Sequence, residues 1–276
     1  MTNEYIPVTE QKNERSINID KMSPYEIARI INEEDKTVPY AVERELDKIA
    51  KAIEIIANAL RNSGRLIYIG SGTSGRLGVI DAAECPPTFG VDHEMVQGLI
   101  AGGIESMVKA CESAEDNYEQ GAEDLKQLGF CERDVCFGIT ASGSTKYVLG
   151  AVDYANKVGA YTIGLCCNEN TELSRKAKLT IAPIVGPEVI AGSTRMKAAS
   201  AQKLVLTTIS TGVMVCIGRT YGNRMVFLKT TNNKLFNRAV RTVAEIGKIS
   251  CEEAEKLLIE CNEDINRCLE KLEGCG

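Results

Sequence analysis

"RLIYIGSGTSGRLGVIDAAECPP", residues 65–87, is the stretch of this sequence that decides its fold. A short apolar run leads into a turn of glycine, serine and threonine residues, and an apolar pattern with helical spacing follows. A buried strand that passes through a tight turn into a helix is typical of a parallel α/β sheet. The stretch therefore predicts a strand–helix unit with a hydroxyl-rich loop at its centre.

Four further apolar runs extend this unit into a sheet. Helix-like segments separate the five runs, which are "LIYIG" (66–70), "MVQGLIA" (95–101), "VCFGIT" (135–140), "YTIGLCC" (161–167) and "LTIAPIV" (179–185). Such alternation indicates parallel strands joined by crossover helices. We expect an α/β fold with a doubly wound five-stranded parallel sheet, which binds ligands beyond the carboxyl ends of its strands.

Helical segments are predicted before and after the sheet. Ser23 and Glu26 form a capping-box pattern that predicts a helix start, and a second helix is expected to end at Gly64. A long helix is predicted at about 193–218 and a cluster of short helices at 238–272. The chain is predicted to comprise an N-terminal arm with helices (1–55), the sheet domain (56–219) and a small C-terminal helical subdomain (220–276).

Composition and charge argue against several classes of protein. The chain has 276 residues and 44% hydrophobic content, enough for a globular core. The first twenty residues are polar, and serine and threonine interrupt the most apolar later stretch, 205–218, so we expect a cytoplasmic protein without a membrane partner. The net charge of −6 argues against a nucleic-acid partner.

Cysteine and histidine usage argues against disulfide or metal chemistry. The eleven cysteines contain no C-x-x-C pair, and Cys136, Cys166 and Cys167 lie in strand-like runs, so reduced and mostly buried thiols are expected. His93 is the one histidine, which makes a histidine-based metal site or proton transfer improbable. Carboxylates are then the candidates for acid–base work.

Two nucleotide interpretations of the loop at residues 70–75 are weak. It matches G-x-G-x-x-G, but the second predicted strand ends in "LIAGG" without the acidic residue that a dinucleotide site needs. A nucleoside-triphosphate loop would need lysine and a hydroxyl residue where Arg76 and Leu77 stand.

Hydroxyl groups at helix starts favour a different ligand, a phosphate monoester with its sugar. Backbone N–H groups and the partial positive charge of a helix N-terminus attract anions. Two loops after predicted strands carry such hydroxyls, namely Ser71, Thr73 and Ser74 in the first, and Ser142, Ser144 and Thr145 in "TASGSTKYV". The alternative is that these residues only form tight turns.

Glu84 is the first candidate acid. The two prolines after Cys85 are expected to end the helix at Glu84, because proline disfavours helical geometry. A carboxylate at a helix C-terminus is destabilised, which would raise its pKa and favour a role as an acid. The alternative is that Glu84 is a solvated glutamate.

The sequence pattern does not identify a second acidic residue for the reaction. Five side chains of the acidic segment are equally available, namely Glu105, Glu112, Glu115, Asp116 and Glu119.

Several stretches together resemble the N-acetylmuramic acid 6-phosphate etherase family of the sugar isomerase (SIS) superfamily. They are "NEEDKTVPYAVE", "GSGTSGRLGVIDAAECPPTFG", "GLIAGG", "AEDN" and "IVGPEVIAGSTRMKAASAQKLVL". The resemblance runs from about residue 8 to the C-terminal helices and implies an SIS domain with flavodoxin-like strand order. It also implies cleavage of the ether between the sugar C3 oxygen and D-lactate, giving N-acetylglucosamine 6-phosphate and D-lactate in peptidoglycan recycling.

The resemblance implies a mechanism of elimination followed by hydration. Glu84 matches the residue that protonates the departing lactate oxygen, and Glu115 matches the residue that removes the C2 proton. Two carboxylates in different protonation states meet this need. No cofactor and no metal are implied, because the aldehyde of the ring-opened sugar makes the C2 proton acidic.

The resemblance also assigns binding roles. The six loop hydroxyls match the superfamily's phosphosugar loops, and Glu188 with the turn at 193–197 offers further contacts. Arg195 and Lys197 could be phosphate ligands or solvated bases at a capped helix start. Many family members have arginine and proline at the positions of Ser144 and Lys146, so this chain departs from them in the second loop.

A homodimer is expected, with the active site near the subunit boundary. The resemblance suggests this boundary, and the apolar surface of the N-terminal helices and of residues 198–216 exceeds what one sheet can cover. Two other functions remain open, a non-catalytic sugar-phosphate regulator and an aldose–ketose isomerase.

Overall fold

The computed structural model describes residues 6–109, 111–227 and 233–273 and contains one parallel sheet. Its five strands run in the order β2-β1-β3-β4-β5, which is the flavodoxin-like order, so the predicted fold class is confirmed. Each strand lies within one predicted apolar run; the strands are β1 (Leu66–Gly70), β2 (Val96–Ile100), β3 (Val135–Ile139), β4 (Tyr161–Leu165) and β5 (Leu179–Ile181).

Helices cover both faces of the sheet. They are α1 (Pro24–Asp35), α2 (Val38–Glu43), α3 (Leu46–Arg61), α4 (Gly72–Phe89), α5 (Tyr118–Gln127), α6 (Lys146–Lys157), α7 (Glu172–Lys176), α8 (Lys197–Cys216), α9 (Asn233–Gly247), α10 (Cys251–Glu260) and α11 (Ile265–Glu273). None of the helices in the described ranges has both the length and the apolar content to cross a membrane.

Side chains alternate across the sheet and divide the core into two layers. Leu66 and Tyr68 point to the layer that α2, α3, α4 and α8 cover, whereas Ile67 and Ile69 point to the layer of α5, α6 and α7. This alternation follows from the two-residue period of a strand. Because α4 and α6 follow the paired strands β1 and β3 yet cover opposite faces, the loops before them flank the point where the strand order reverses.

The N-terminal region contains more helices than the sequence predicts. The capping box is confirmed, since Ser23 N donates to Glu26 Oε2 at 2.8 Å and Glu26 N to Ser23 Oγ. The helix predicted to end at Gly64 is divided into α2 and α3, and residue 55 lies within α3. At the break, the Glu45 carboxylate accepts a hydrogen bond from Ala182 N at 2.9 Å, immediately after β5, which a continuous amphipathic pattern does not reveal.

The prediction that α4 ends at Glu84 is wrong. The helix continues through Pro86 and Pro87 to Phe89, and Gly90 ends it in the left-handed conformation with φ 62°. The prolines lie in the last turn, where their missing N–H groups remove only two helical hydrogen bonds. The buried side chains of Cys85, Pro86 and Phe89 hold this turn against the core.

The C-terminal helices form a three-helix unit in the region where a cluster of short helices is predicted. Helices α9, α10 and α11 contact one another around a core that includes Val243, Leu258 and Ile265. Ser250 and Glu253 form a second capping box at the start of α10.

The described cysteines are free thiols, and most are buried. Six of the ten are buried, including Cys85, Cys136, Cys166 and Cys167. Burial raises the pKa of Cys85 and of Cys136 to about 12, so both remain protonated at neutral pH. No cluster that could hold a metal ion occurs among the residues described.

Candidate active site at the carboxyl edge of the sheet

The first predicted loop joins β1 to α4 at the carboxyl edge of the sheet. Gly70 and Gly75 allow this tight passage, because a Cβ atom on Gly75 would lie 2.7 Å from the Gly70 carbonyl oxygen. The first helical bond of α4 runs from Gly75 N to Ser71 O at 3.1 Å. The N–H groups of the preceding three residues have no partner within the helix and are available to an anion.

The second predicted loop lies beside the first. Gly70, the last residue of β1, is in register with Ile139, the last residue of β3, so both loops leave the sheet at the same level. The hydroxyls of the second loop bond to one another: Thr140 Oγ1 lies 2.7 Å from Thr145 Oγ1, and Ser144 Oγ donates to Ser142 Oγ at 3.1 Å. Ser144 and Lys146 are exposed at the helix start.

Glu115 lies at the first loop. It belongs to a short 3₁₀ turn, Glu112–Asp116, and Ser71 Oγ donates to Glu115 Oε2 at 3.3 Å. The structure therefore brings together a loop hydroxyl and one of the two predicted carboxylates. An exposed carboxylate beside a helix start can exchange protons with a bound ligand.

Arg76 anchors the segment that carries Glu115, and the sequence reasoning missed this role. Its Nε donates to Met107 O at 3.1 Å, and its Nη2 donates to Ser106 O at 2.5 Å. In the sequence, Arg76 is notable only because it occupies the position at which a nucleoside-triphosphate loop has lysine. Nothing in the local pattern indicates that its guanidinium reaches two carbonyl groups some thirty residues away.

Arg195 shares a cavity with Thr73 of the first loop. The cavity has a volume of about 440 Å³ and is lined also by Lys203 and Asp35. Arg195 is exposed, so its guanidinium is accessible to a ligand at this helix start.

Glu188 and Lys197 are buried and act within the protein. The Glu188 carboxylate accepts hydrogen bonds from Lys197 N and Ala198 N, both at 2.9 Å, and so caps the start of α8. Burial raises the pKa of Glu188, although these two backbone hydrogen bonds oppose the shift. The structure thus gives Glu188 a capping contact at the start of α8.

Lys197 forms a buried ion pair with Glu34. Its Nζ lies 2.6 Å from Glu34 Oε2, and Asn13 and Arg15 also donate to this carboxylate. Burial alone would raise the pKa of Glu34, but the hydrogen bond and charge of Lys197, with help from Asn13 and Arg15, hold it below its usual value. Lys197 therefore ties the N-terminal arm and α1 to α8.

Glu84 lies far from the first loop within one chain. It is twelve residues beyond Gly72 on α4, which at about 1.5 Å per residue is about 18 Å from the helix start. Glu84 is exposed, on the same side of the helix as the exposed Ile80 and Pro87. The structure does not bring Glu84 and Glu115 together in a single chain.

Ser74 and Gln202 form a contact that the sequence did not indicate. Ser74 is 8% exposed, and its Oγ donates to Gln202 Oε1 on α8 at 2.9 Å. Ser74 thus faces α8, unlike the half-buried Ser71 and Thr73 of the same loop.

The fold and these two loops define an SIS-type α/β protein. Two family models match: the glucokinase regulatory protein N-terminal SIS domain over residues 48–156 and the SIS domain over residues 109–215. Among solved structures, a phosphoheptose isomerase from Francisella tularensis has a TM-score of 0.54 at 17% identity, covering 70% of this chain and 100% of its own. A phosphoheptose isomerase from Neisseria gonorrhoeae has a TM-score of 0.53 at 17% identity, covering 68% and 97%. These likenesses concern the fold.

Curated relatives define the family. An N-acetylmuramic acid 6-phosphate etherase from Clostridium beijerinckii is 54% identical over 93% of this chain and 84% of its own length. Enzymes of the same name from Clostridium botulinum (strain Loch Maree) and Pasteurella multocida are 53% and 49% identical over 94% and 92% of the chain, and 85% of their own lengths. The chain belongs to the N-acetylmuramic acid 6-phosphate etherase family. The predicted family and enzyme class, a carbon–oxygen lyase, are confirmed.

Proposed function

We propose that this protein cleaves the D-lactyl ether of N-acetylmuramic acid 6-phosphate in the cytoplasm and releases N-acetylglucosamine 6-phosphate and D-lactate for peptidoglycan recycling. The observation that carries the proposal is the contact of Glu115 Oε2 with Ser71 Oγ at the start of α4. It puts a proton acceptor beside a helix N-terminus that attracts phosphate. The etherase relatives, at 49–54% identity, support the same substrate.

The phosphate binds where α4 and α6 begin. Its oxygens accept hydrogen bonds from the free N–H groups of the first turn of α4 and from Thr73, and from Ser71 once its hydroxyl hydrogen leaves Glu115, while the second loop supplies Ser142, Ser144 and Thr145. Arg195, in the cavity that it shares with Thr73, neutralises part of the charge. With the phosphate held there, the sugar carbons extend toward Glu115.

The reaction is an elimination followed by a hydration. Glu115 takes the C2 proton of the ring-opened aldehyde, and the electron pair of that bond forms a double bond between C2 and C3. The C3–O bond breaks, and an acid protonates the lactate oxygen that leaves. Water then adds its oxygen to C3 while C2 regains a proton, so the protons balance over the two steps.

The acid is Glu84 of a second copy of the chain. A sugar phosphate at the start of α4 lies about 18 Å from Glu84 of the same chain, beyond the reach of a side chain. Ile80, 53% exposed, and Pro87 lie beside Glu84 and offer an apolar contact surface. A symmetric homodimer that packs this surface against the helix-start loops of the partner would bring each Glu84 to the other subunit's site.

The test is the release of D-lactate from N-acetylmuramic acid 6-phosphate. We expect turnover by the wild type and a loss of about 10²-fold or more in Glu115→Gln, because the amide cannot accept the C2 proton. Glu119→Gln, an exposed residue of the same acidic segment, is the matched control and should retain activity.

Three outcomes would contradict the proposal. Full activity of Glu115→Gln would remove that residue from the reaction. Binding of the sugar phosphate without lactate release would indicate a regulator. Interconversion of an aldose phosphate and a ketose phosphate without ether cleavage would indicate an isomerase.

A further inference from the structure

Ser74 lies at the start of α4, and its hydroxyl is hydrogen-bonded to α8. Its side chain is 8% exposed, and its hydroxyl hydrogen is committed to Gln202 Oε1 at 2.9 Å. A hydroxyl has one hydrogen to donate. In this arrangement Ser74 has no hydrogen left for a phosphate oxygen.

The other end of the same amide is unsatisfied. Gln202 is 1% exposed, and its Nε2 makes no hydrogen bond to any atom of the described residues. A buried amide with two idle N–H groups is unfavourable and uncommon in folded proteins. At the contact between α4 and α8, the Gln202 Nε2 donor therefore lacks an acceptor, whereas Gln202 Oε1 already accepts the hydrogen of Ser74.

A rotation of the Gln202 side-chain amide by 180° exchanges its oxygen and nitrogen and changes which of these groups have a hydrogen-bond partner. The oxygen and nitrogen of a glutamine amide have nearly the same shape, so either can face Ser74. With Nε2 toward Ser74, one N–H donates to Ser74 Oγ, and the Ser74 hydrogen is released. Once a phosphate oxygen accepts that hydrogen, the groups left without a partner are one N–H and one carbonyl in place of two N–H groups, and an unpaired carbonyl is better tolerated than an unpaired N–H.

We propose that Gln202 is a positioning residue for phosphate: in the bound state its Nε2 donates to Ser74 Oγ, and the Ser74 hydroxyl donates its hydrogen to a phosphate oxygen at the start of α4. This rests on the proposed function, since it requires the phosphate at that loop. Gln202 on α8 therefore determines whether the Ser74 hydroxyl of the first loop can donate its hydrogen to a ligand. Gln202 itself does not contact the ligand.

Binding of N-acetylglucosamine 6-phosphate and of inorganic phosphate, measured by calorimetry, tests this role. We expect Gln202→Leu and Ser74→Ala each to weaken binding about tenfold, the effect of losing one hydrogen bond to a charged group. The double variant should bind like Ser74→Ala alone, because Gln202 acts through Ser74. Ser210→Ala is the matched control: it removes another buried hydroxyl contact of α8, to Asp81, and should bind normally.

Gln202→Glu separates positioning from packing. A carboxylate keeps the acceptor that Ser74 now uses but cannot donate, so a purely structural role would be preserved and binding would be unchanged. We expect binding to weaken at least as much as in Gln202→Leu. The weaker binding of Gln202→Glu could also come from repulsion between the new carboxylate and the phosphate. In that case Gln202→Glu would weaken binding further when it is added to Ser74→Ala. Our proposal requires that the double variant bind as Ser74→Ala does.

The results separate this proposal from the function on which it rests. Normal binding by Gln202→Leu, with weak binding by Ser74→Ala, would overturn the role of Gln202 and leave the site intact. Failure of the wild type to bind either ligand would overturn both. Thermal unfolding of each variant confirms that the folded protein is compared.

Discussion

Asp81 is a buried carboxyl group that accepts hydrogen bonds from two neutral side chains. The Tyr68 hydroxyl donates to it at 2.9 Å and Ser210 Oγ at 3.0 Å, and Asp81 is 7% exposed. Burial raises the pKa of Asp81, although the two hydrogen bonds and the charge of Lys203 oppose the shift. The folded protein therefore favours the protonated form more than the unfolded chain does.

Asp81→Asn should stabilise the protein increasingly as the pH rises. A raised folded-state pKa contributes stability that is present below the unfolded pKa of about 3.9 and is lost as the pH passes through the higher folded value. The amide cannot ionise, so the variant avoids this loss, and it can still bond to Tyr68 and Ser210. Urea unfolding at several pH values between about 4 and 8 measures the difference in free energy.

Asp153→Asn is the control of opposite sign. Burial would raise the pKa of Asp153, but hydrogen bonds from Lys176 and Tyr118 hold it below its usual value, so its charge stabilises the fold above the unfolded pKa. That variant should lose more stability at about pH 6 than at about pH 2, because the contribution of the Asp153 charge is lost only as the pH falls below the unfolded value. A constant effect of Asp81→Asn between about pH 4 and 8 would show that Asp81 does not titrate as its burial implies.

The segment between β2 and α5 depends on a residue of α4 for its position. Arg76→Ala removes both hydrogen bonds to the carbonyls of Ser106 and Met107 and should loosen the turn that carries Glu115. We expect turnover to fall about tenfold, because misplaced acid–base groups lose rate steeply. The Michaelis constant should change less, since the phosphate loops remain. Steady-state kinetics and amide hydrogen exchange of residues 104–117 measure the two effects.

Lys109→Ala is the matched control for Arg76. Lys109 is exposed on the same segment, and its removal should alter neither turnover nor exchange. Equal loss of activity in both variants would mean that the positive charge near residues 104–117 is required, and that the two hydrogen bonds of Arg76 are not.

The elements show how far the sequence reasoning reaches. Alternating apolar runs were sufficient to predict five parallel strands and the helix-start loops, because burial imposes a pattern at short range. The end of α4 was not predictable in this way, since packing of Pro86 and Phe89 overrides the local preference of proline. The contacts of Arg76 and Gln202 join residues distant in sequence, and no local pattern encodes them.

At the scale of the whole molecule, the separation of Glu84 from Glu115 predicts complementation between inactive subunits. In a mixed dimer of Glu84→Ala and Glu115→Ala, one of the two sites would contain both carboxylates, each from a different chain. After free exchange, roughly half of the dimers are mixed, so we expect about a quarter of the wild-type lactate release. Activity assays of each variant alone and of the exchanged mixture measure this.

Differently tagged subunits verify that exchange has occurred. Copurification of the two tags without recovered activity would contradict a site shared between chains. Sedimentation as a monomer at micromolar concentration would contradict the dimer itself.

The ion pair between Lys197 and Glu34 has a consequence for the N-terminal arm and α1. The Lys197 side chain is 3% exposed and the Glu34 side chain 8%, so each charge depends on the other for its solvation. A shortened protein that began after α1 would lack Glu34, the carboxylate that holds the Lys197 ammonium group in place. Without this partner the lysine side chain would turn toward water, and its movement would disturb the turn that presents Arg195. The N-terminal arm and α1 thus support the start of α8 beside the candidate active site, and their removal should lower activity although they supply no residue of the two loops.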